Sequence, residues 1–380
     1  MKHRPVLAAL LAVGALALVG AQPSFAKGHG TGSGHHSRGG GVVFVQTNEP
    51  SGNQIAVFRR GPDGRLTETG TYPTGGLGGV ASPGAESDTL ASQGSLQYVR
   101  GARALIAVNA GSDTVSTFRV DGHRLRLLNV VDSGGQFPNS VTVHGSLVYV
   151  LNAGGTGIVQ GFWLGRHGLS PIADSARSLG LANGDPPNFL MAPGQVGFTP
   201  DGRQLLVTTK ASTSSIDVFI VGSDGLLSAS AVVNPSATPV PFAFTFGGGR
   251  LVDGEAGASS VTTYAIDAGG TLSDPKSAGD GQTALCWILQ VHGVYYVSNT
   301  ASNNLSSFTI DSSGQPLLLE AVAATTNPGP IDLASSGDFL YAETGTNGTV
   351  DEFAVNGDGN LDPIGTVTGL PPGIEGIAAK

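Results

Sequence analysis

Cysteine is almost missing from this chain: Cys286 is the only one in 380 residues. No internal disulfide can form, so packing and ladder hydrogen bonds must hold the fold. Charge is scarce too, at 12% of residues, about half of the usual ~25%. What charge there is sums to −9. No Lys/Arg cluster is interleaved with aromatics, which argues against nucleic acid and anionic membrane surfaces as partners. No sustained helical period runs outside the N-terminus. Short catalytic signatures are missing as well: there is no GxSxG elbow, Walker loop, HExxH helix or CxxC pair. The Asp-Gly pairs fall at turns, not at EF-hand spacing.

What is present is glycine, 59 residues of it, and a repeat. The stretch 294–321 reads as three short strands. They are the β-branched and aromatic run 294–297, the strand 305–310, and a third from Leu317. Asp311 to Gly314 has the turn chemistry that joins the last two. The same frame starts near Val43, Ala104, Val148, Leu205, Arg250, Val294 and Phe339. One aromatic marks its second-named strand each time: Phe58, Phe118, Phe162, Phe219, Tyr264, Phe308 and Phe353. An all-strand repeat of roughly 40–50 residues is the signature of a β-propeller. The expected fold is all-β: a seven-bladed propeller of four-stranded antiparallel blades. The first copy lacks a preceding inner strand, and the chain ends on a spare, 373–379, that aligns with 330–334. The C-terminal strand is therefore expected to close the ring and remove its exposed edges.

Residues 1–26 read as a cleaved signal peptide, with basic Lys2 and Arg4, an apolar run, and small residues at Ser24-Phe25-Ala26. The apolar run is shorter than the roughly 20 residues a membrane span needs. Residues 27–41 read as a flexible Gly/Ser/His linker, and 42–380 as one propeller domain. The protein is thus expected outside the cytoplasm, secreted or periplasmic. Two connections are long, 77–95 with Glu86 and Asp88, and 178–194 with Asn183-Gly184-Asp185-Pro186-Pro187. Both follow an outer strand, so both emerge on one face. They are either functional loops or tolerated insertions.

Aligning the copies places one residue per blade beside the channel mouth: Asn48, Asn109, Asn152, Lys210, Glu255, Asn299 and Thr344. Asn at such a place serves its own turn. Lys210 and Glu255 depart from that pattern. They are either an ion pair locking two blades or a cation and base around a substrate, with Glu343 a further carboxylate at that level. The stretch Gln282 to Trp287 is the second departure. In this alignment Cys286 takes the place of Pro138, Pro241 and Pro330, and Trp287 that of Asn139 and Phe242. Trp287 either seals the core or offers a stacking surface. Cys286 has no His in its own segment, 282–287, to activate it, so a thiol nucleophile is not expected. Catalytic candidates are Glu255, Lys210 and Glu343; substrate-binding candidates are Asn299, Gln282, Trp287 and Asn152.

The stretches 92–120, 193–219, QTALCW at 282–287 and GLPPGIEGIAA at 369–379 resemble the lactonase-type seven-bladed β-propeller family. That family includes the propeller form of 6-phosphogluconolactonase and the fungal carboxymuconate cyclases. The resemblance covers about 42–380 and implies a small lactone or sugar-like ligand held at the channel mouth, to be hydrolysed or formed there. It carries no catalytic residue over. It implies no cofactor and leaves a divalent cation in the channel open. Export and the shortage of basic residues point to an unphosphorylated lactone; a monomer is expected. The competing reading is a non-catalytic exported binding scaffold, which would show a broad apolar surface patch instead of a clustered site.

Overall fold

The structure, a computed structural model, describes residues 40–380 apart from 83, 84 and 86. The signal-peptide and linker readings fall on residues outside that set, save the end of the linker. Gly40 precedes the first strand, which opens at Gly41.

Seven antiparallel sheets follow one another along the chain. The inner strands of blades 2 to 7 are Leu96–Val99, Pro138–His144, Gln195–Phe198, Pro241–Gly247, Leu285–Val291 and Pro330–Ser336. Blade 3 has a divided outer edge, where Gly168–Pro171 and Arg177–Ser178 both pair with Ile158–Gly165. Helix is confined to one 3-10 turn at Ala110–Ser112 among the described residues.

Blade 1 takes its inner strand from the far end of the chain. Ile377–Ala379 pairs antiparallel with Gly41–Gln46, in the register Val43↔Ala379 and Val45↔Ile377. Gln46 N–H to the Gly376 carbonyl and Glu375 N–H to the Gln46 carbonyl extend that seam. The ring therefore closes through its C-terminus.

The seven marker aromatics share one register. They lie opposite Val43, Leu105, Val148, Leu205, Leu251, Tyr295 and Leu340. All seven are at most 2% exposed. Each projects into the gap between neighbouring blades, and there is one apolar cluster per gap, seven in all. The core is thus a ring of inter-blade seams. The gap between blades 7 and 1 holds Tyr341 and Val350 against Val43, Phe58, Ile374 and Ile377.

An up-and-down blade puts its first and third turns at one end. Its middle turn and the connection to the next blade lie at the other. Both long connections therefore share an end, and they touch: Ser82 N–H donates to the Pro187 carbonyl at 2.8 Å and Gln93 N–H to the Gly194 carbonyl at 3.0 Å.

Candidate functional site

The shared register corrects the alignment of the mouth residues. Four residues past the partner of each marker aromatic come Thr47, Asn109, Asn152, Thr209, Glu255, Asn299 and Thr344. Asn48 and Lys210 stand one residue further on. Both have the left-handed backbone that marks the departure, φ 48° and 47°, which is uncommon outside glycine. Thr209, not Lys210, makes the local bonds of that row, to Ser215.

Glu255 does sit in the row, and its contacts are those of the row. Asn109 donates to Thr114 and Ser116. Asn299 donates to Asn304 at 2.9 Å and Ser306 at 2.7 Å. Glu255 accepts from the equivalent Ser260 and Thr262, and adds Ser236, Tyr264 and the N–H and hydroxyl of Thr238. It is fully buried, with both oxygens occupied by its own blade and by the connection that leads into it. No ion pair joins it to Lys210 among the described residues.

The other substrate-binding candidates are also engaged locally. Gln282 accepts from Asn304, in the same network as Asn299. Asn152 donates to the carbonyls of Ser133 and Ile158. The inner-strand alignment of blade 6 shifts as well. Leu285 pairs with Asn299 as Pro138 pairs with Asn152 and Pro241 with Glu255. Cys286 is therefore the bulged residue matching Asn139 and Phe242, and Trp287 lies one beyond. Burial pushes the Cys286 thiol up to about 12, which leaves it a poor nucleophile.

Trp287 is fully buried and packs on Phe242, 5.0 Å between ring centres. Its indole N–H donates to the Ser92 carbonyl at 2.9 Å. Ser92 belongs to the first long connection, and that contact is one of a set. Gln93 exchanges two bonds with the Ile288 backbone of blade 6. Ser92 Oγ reaches the Asn139 carbonyl of blade 3. A Cβ on Gly345 of blade 7 would overlap the Ser87 carbonyl. Leu90, Ala91 and Ser92 are at most 1% exposed. The connection bonds to blades on all sides of the axis, so it lies across the channel and fills it.

Beneath it lies the densest group of buried charge in the described chain. Lys210 Nζ donates to the carbonyls of Ala91 and Phe189, each at 2.5 Å, and sits 4.8 Å from the centre of the Phe242 ring. One long connection supplies each carbonyl, so Lys210 fastens both. Glu375 accepts from the N–H groups of Leu90 (2.5 Å) and Ser92 (3.3 Å) and from Thr89 Oγ1 (3.1 Å). Asp88 lies beside Glu375, and the two carboxyls influence each other's protonation. Asp88 keeps some exposure as a residue, yet its Oδ1 is sealed from water without a partner.

Burial governs the protonation of this group. It lowers Lys210 to about 8, against the pull of Asp88. It raises Asp88 to about 6, tempered by Lys210. Burial and then the Asp88 charge push Glu375 well above the ordinary carboxylate range. Asp332 rises to about 7, again by burial first. Glu343 rises well up through burial and then Asp332. Its Oε2 accepts from Gly376 N–H across the ring closure, while Oε1 has no partner. Glu343 thus lies at the ring closure beside Asp332, while Glu255 is held by Ser236, Thr238, Ser260, Thr262 and Tyr264. No group of three or more His, Cys, Asp or Glu is arranged to hold a metal ion among the described residues.

Asp88 and Glu375 were not among the residues singled out from sequence. A signal existed: carboxylates at 332 and 375 stand at matched places of two neighbouring inner strands. Asp88 had been noticed only as part of a long connection.

An open cleft of about 1060 Å³ lies at the opposite end, between blades 4 and 5. It holds none of these groups, and its arginines are met by Asp201 and Asp274.

No family model matches the sequence, and no curated protein does. Solved structures do match. A Lactobacillus plantarum protein superposes with TM-score 0.69 at 18% identity, covering 90% of this chain and 98% of that one. A proposed 6-phosphogluconolactonase from Bacteroides fragilis gives 0.67 at 20% identity, covering 90% and 97%. The periplasmic gluconolactonase of Pseudomonas aeruginosa, PpgL, gives 0.68 at 19% identity, covering 89% and 99%. The fold is shared with all three over nearly their whole lengths.

Proposed function

We propose that this chain is an exported hydrolase of a small, unphosphorylated lactone, with its reacting groups in the channel beneath the 82–95 connection. The observation that carries the reading is the convergence of Lys210, Asp88 and Glu375 there. Ring opening needs a water made nucleophilic and a stabiliser for the developing oxyanion. Asp88, raised to about 6, is mostly ionised at neutral pH yet basic enough to draw a proton from water. Lys210, lowered to about 8, remains mostly cationic and is the stabiliser. Glu375 carries a proton and orients Asp88. Glu343 is a reserve carboxyl at the ring closure, and Glu255 serves blade 5 instead. The solved relatives described as lactonases support the reaction class, and the N-terminal sequence supports export.

Substrate access requires the 82–95 connection to move, because it occupies the channel. The test is hydrolysis of a panel of sugar and aliphatic lactones, followed by Lys210→Ala and Asp88→Asn. Each variant should lose roughly 10²-fold or more in rate, while Glu255→Gln should keep its turnover if it folds.

A second reading, a binding scaffold, draws on one observation. Leu77, Val80, Leu190 and Met191 are exposed on the two long connections, at the end where the channel is closed. Wild-type protein that opens no lactone in the panel would favour it.

A further inference from the structure

We propose that the turn end of blade 2 binds a diphosphate-type anion, independently of the channel. Arg103, Arg119, Arg124 and Arg126 line a cleft of about 480 Å³ there, with Asp121 as its one carboxylate. Arg100 lies exposed on the same turn as Arg103. In sequence these arginines are scattered, and the blade's two turns bring them together.

Several basic side chains elsewhere on this acidic chain are matched. Arg203 meets Asp201, Arg250 and Lys276 meet Asp274, and His292 meets Asp338. Among the described residues, none of the four cleft arginines makes such an ion pair. The register makes this costly, because Arg119 and Arg126 lie directly opposite on neighbouring strands, and like charges so placed repel. Arg119 is held in place by a bond from its Nη1 to the Ala102 carbonyl at 3.0 Å. Arg103, Arg124 and Arg126 are exposed on the cleft.

Four guanidiniums and one carboxylate leave three positive charges uncompensated. A phosphate monoester carries about −1.5 to −2 at neutral pH, so two linked phosphates match the cleft in charge. Guanidinium forks meet phosphate oxygens two at a time. The first and third turns lie at the end opposite the long connections, so this cleft does not serve the Lys210 group.

The test is calorimetric titration of the intact protein with inorganic diphosphate and with long-chain polyphosphate. Saturable binding is expected. It should weaken about tenfold or more in Arg124→Ala and in Arg126→Ala, fall with added salt, and persist in Arg203→Ala. Equal affinity for the two probes assigns the site to a small ligand. Tighter binding of the polymer assigns it to a phosphate chain. Both outcomes support the site. Failure of both probes to bind, or wild-type affinity in the Arg124→Ala/Arg126→Ala double variant, overturns it. Unliganded Arg126→Ala should melt no lower than wild type, since it removes a repulsion; a clearly lower melting temperature contradicts the premise.

Discussion

Single residues break the sevenfold pattern, and each break has a physical consequence. Asp253 is one. Its equivalents in the other blades are Val45, Ala107, Val150, Val207, Val297 and Ala342, all buried and apolar. Asp253 is fully buried, and neither carboxyl oxygen has a partner. Burial, then the charge of Glu255, pushes its pKa well up. Asp253→Val fits the pattern of the row and removes two orphaned atoms. It should stabilise the protein by about 1–3 kcal/mol, read as a higher denaturation midpoint. The channel carboxyls set a pH dependence whose sign is unusual. Asp88 and Asp332 rise from 3.8 to about 6 and about 7. The folded state thus holds protons that the unfolded chain has already lost. Their contribution is full below about pH 4 and is lost as pH rises through about 6–7. Lys210 acts in a separate window. Its cost as a buried cation is full below about 8 and fades toward 10.5. Melting temperature should therefore fall between pH 4 and 7, with a partial recovery above 8. Asp332→Asn should flatten the first slope, and an unchanged slope in that variant would assign it to other groups.

At the level of elements, strand spacing was readable because it repeats and because one buried aromatic per copy anchors it. The closure of the ring was readable for the same reason: 373–379 has the pattern of an inner strand with no blade of its own. Deleting residues 370–380 removes Ile374 and Ile377 from the last seam and Ala378 from the seam between blades 1 and 2, and bares the edge of Gly41–Gln46. Each buried Ile alone is worth about 1.5–3 kcal/mol, and bare strand edges associate. The truncated protein should melt well below wild type and aggregate, as seen by light scattering. A monomer with an unchanged melting temperature would refute the closure. What could not be read was the alignment of individual residues near bulges and tight loops. Lys210 and Trp287 each fell one residue from the place assigned to them. The reasons are local: a left-handed residue past Thr209, and a bulge at Cys286 between Leu285 and Trp287. One residue is enough to turn a side chain to the other face of a strand, which is why Lys210 meets Asp88 and not Glu255. The channel-filling path of 82–95 was invisible for a different reason. Its fixing contacts lie up to 286 residues away in sequence, and no local propensity encodes them.

For the whole molecule, a ring of seven inter-blade seams holds an axis that the chain fills with its own connection. Lys210 and Glu375 pin that connection from blade 4 and blade 1, and Trp287 does so from blade 6. The channel therefore gathers one ammonium and several carboxyls away from water, which moves the protonation of Asp88, Asp332 and Lys210 toward neutral pH. That convergence is the basis of the proposed hydrolysis, and the pH dependence of kcat/KM on the best lactone of the panel tests it most directly. The predicted profile is a bell, rising through about pH 6 as Asp88 ionises and falling above about pH 8 as Lys210 loses its proton. The rising limb should vanish in Asp88→Asn. A profile flat from pH 5 to 9, or a wild-type bell in that variant, would contradict the account.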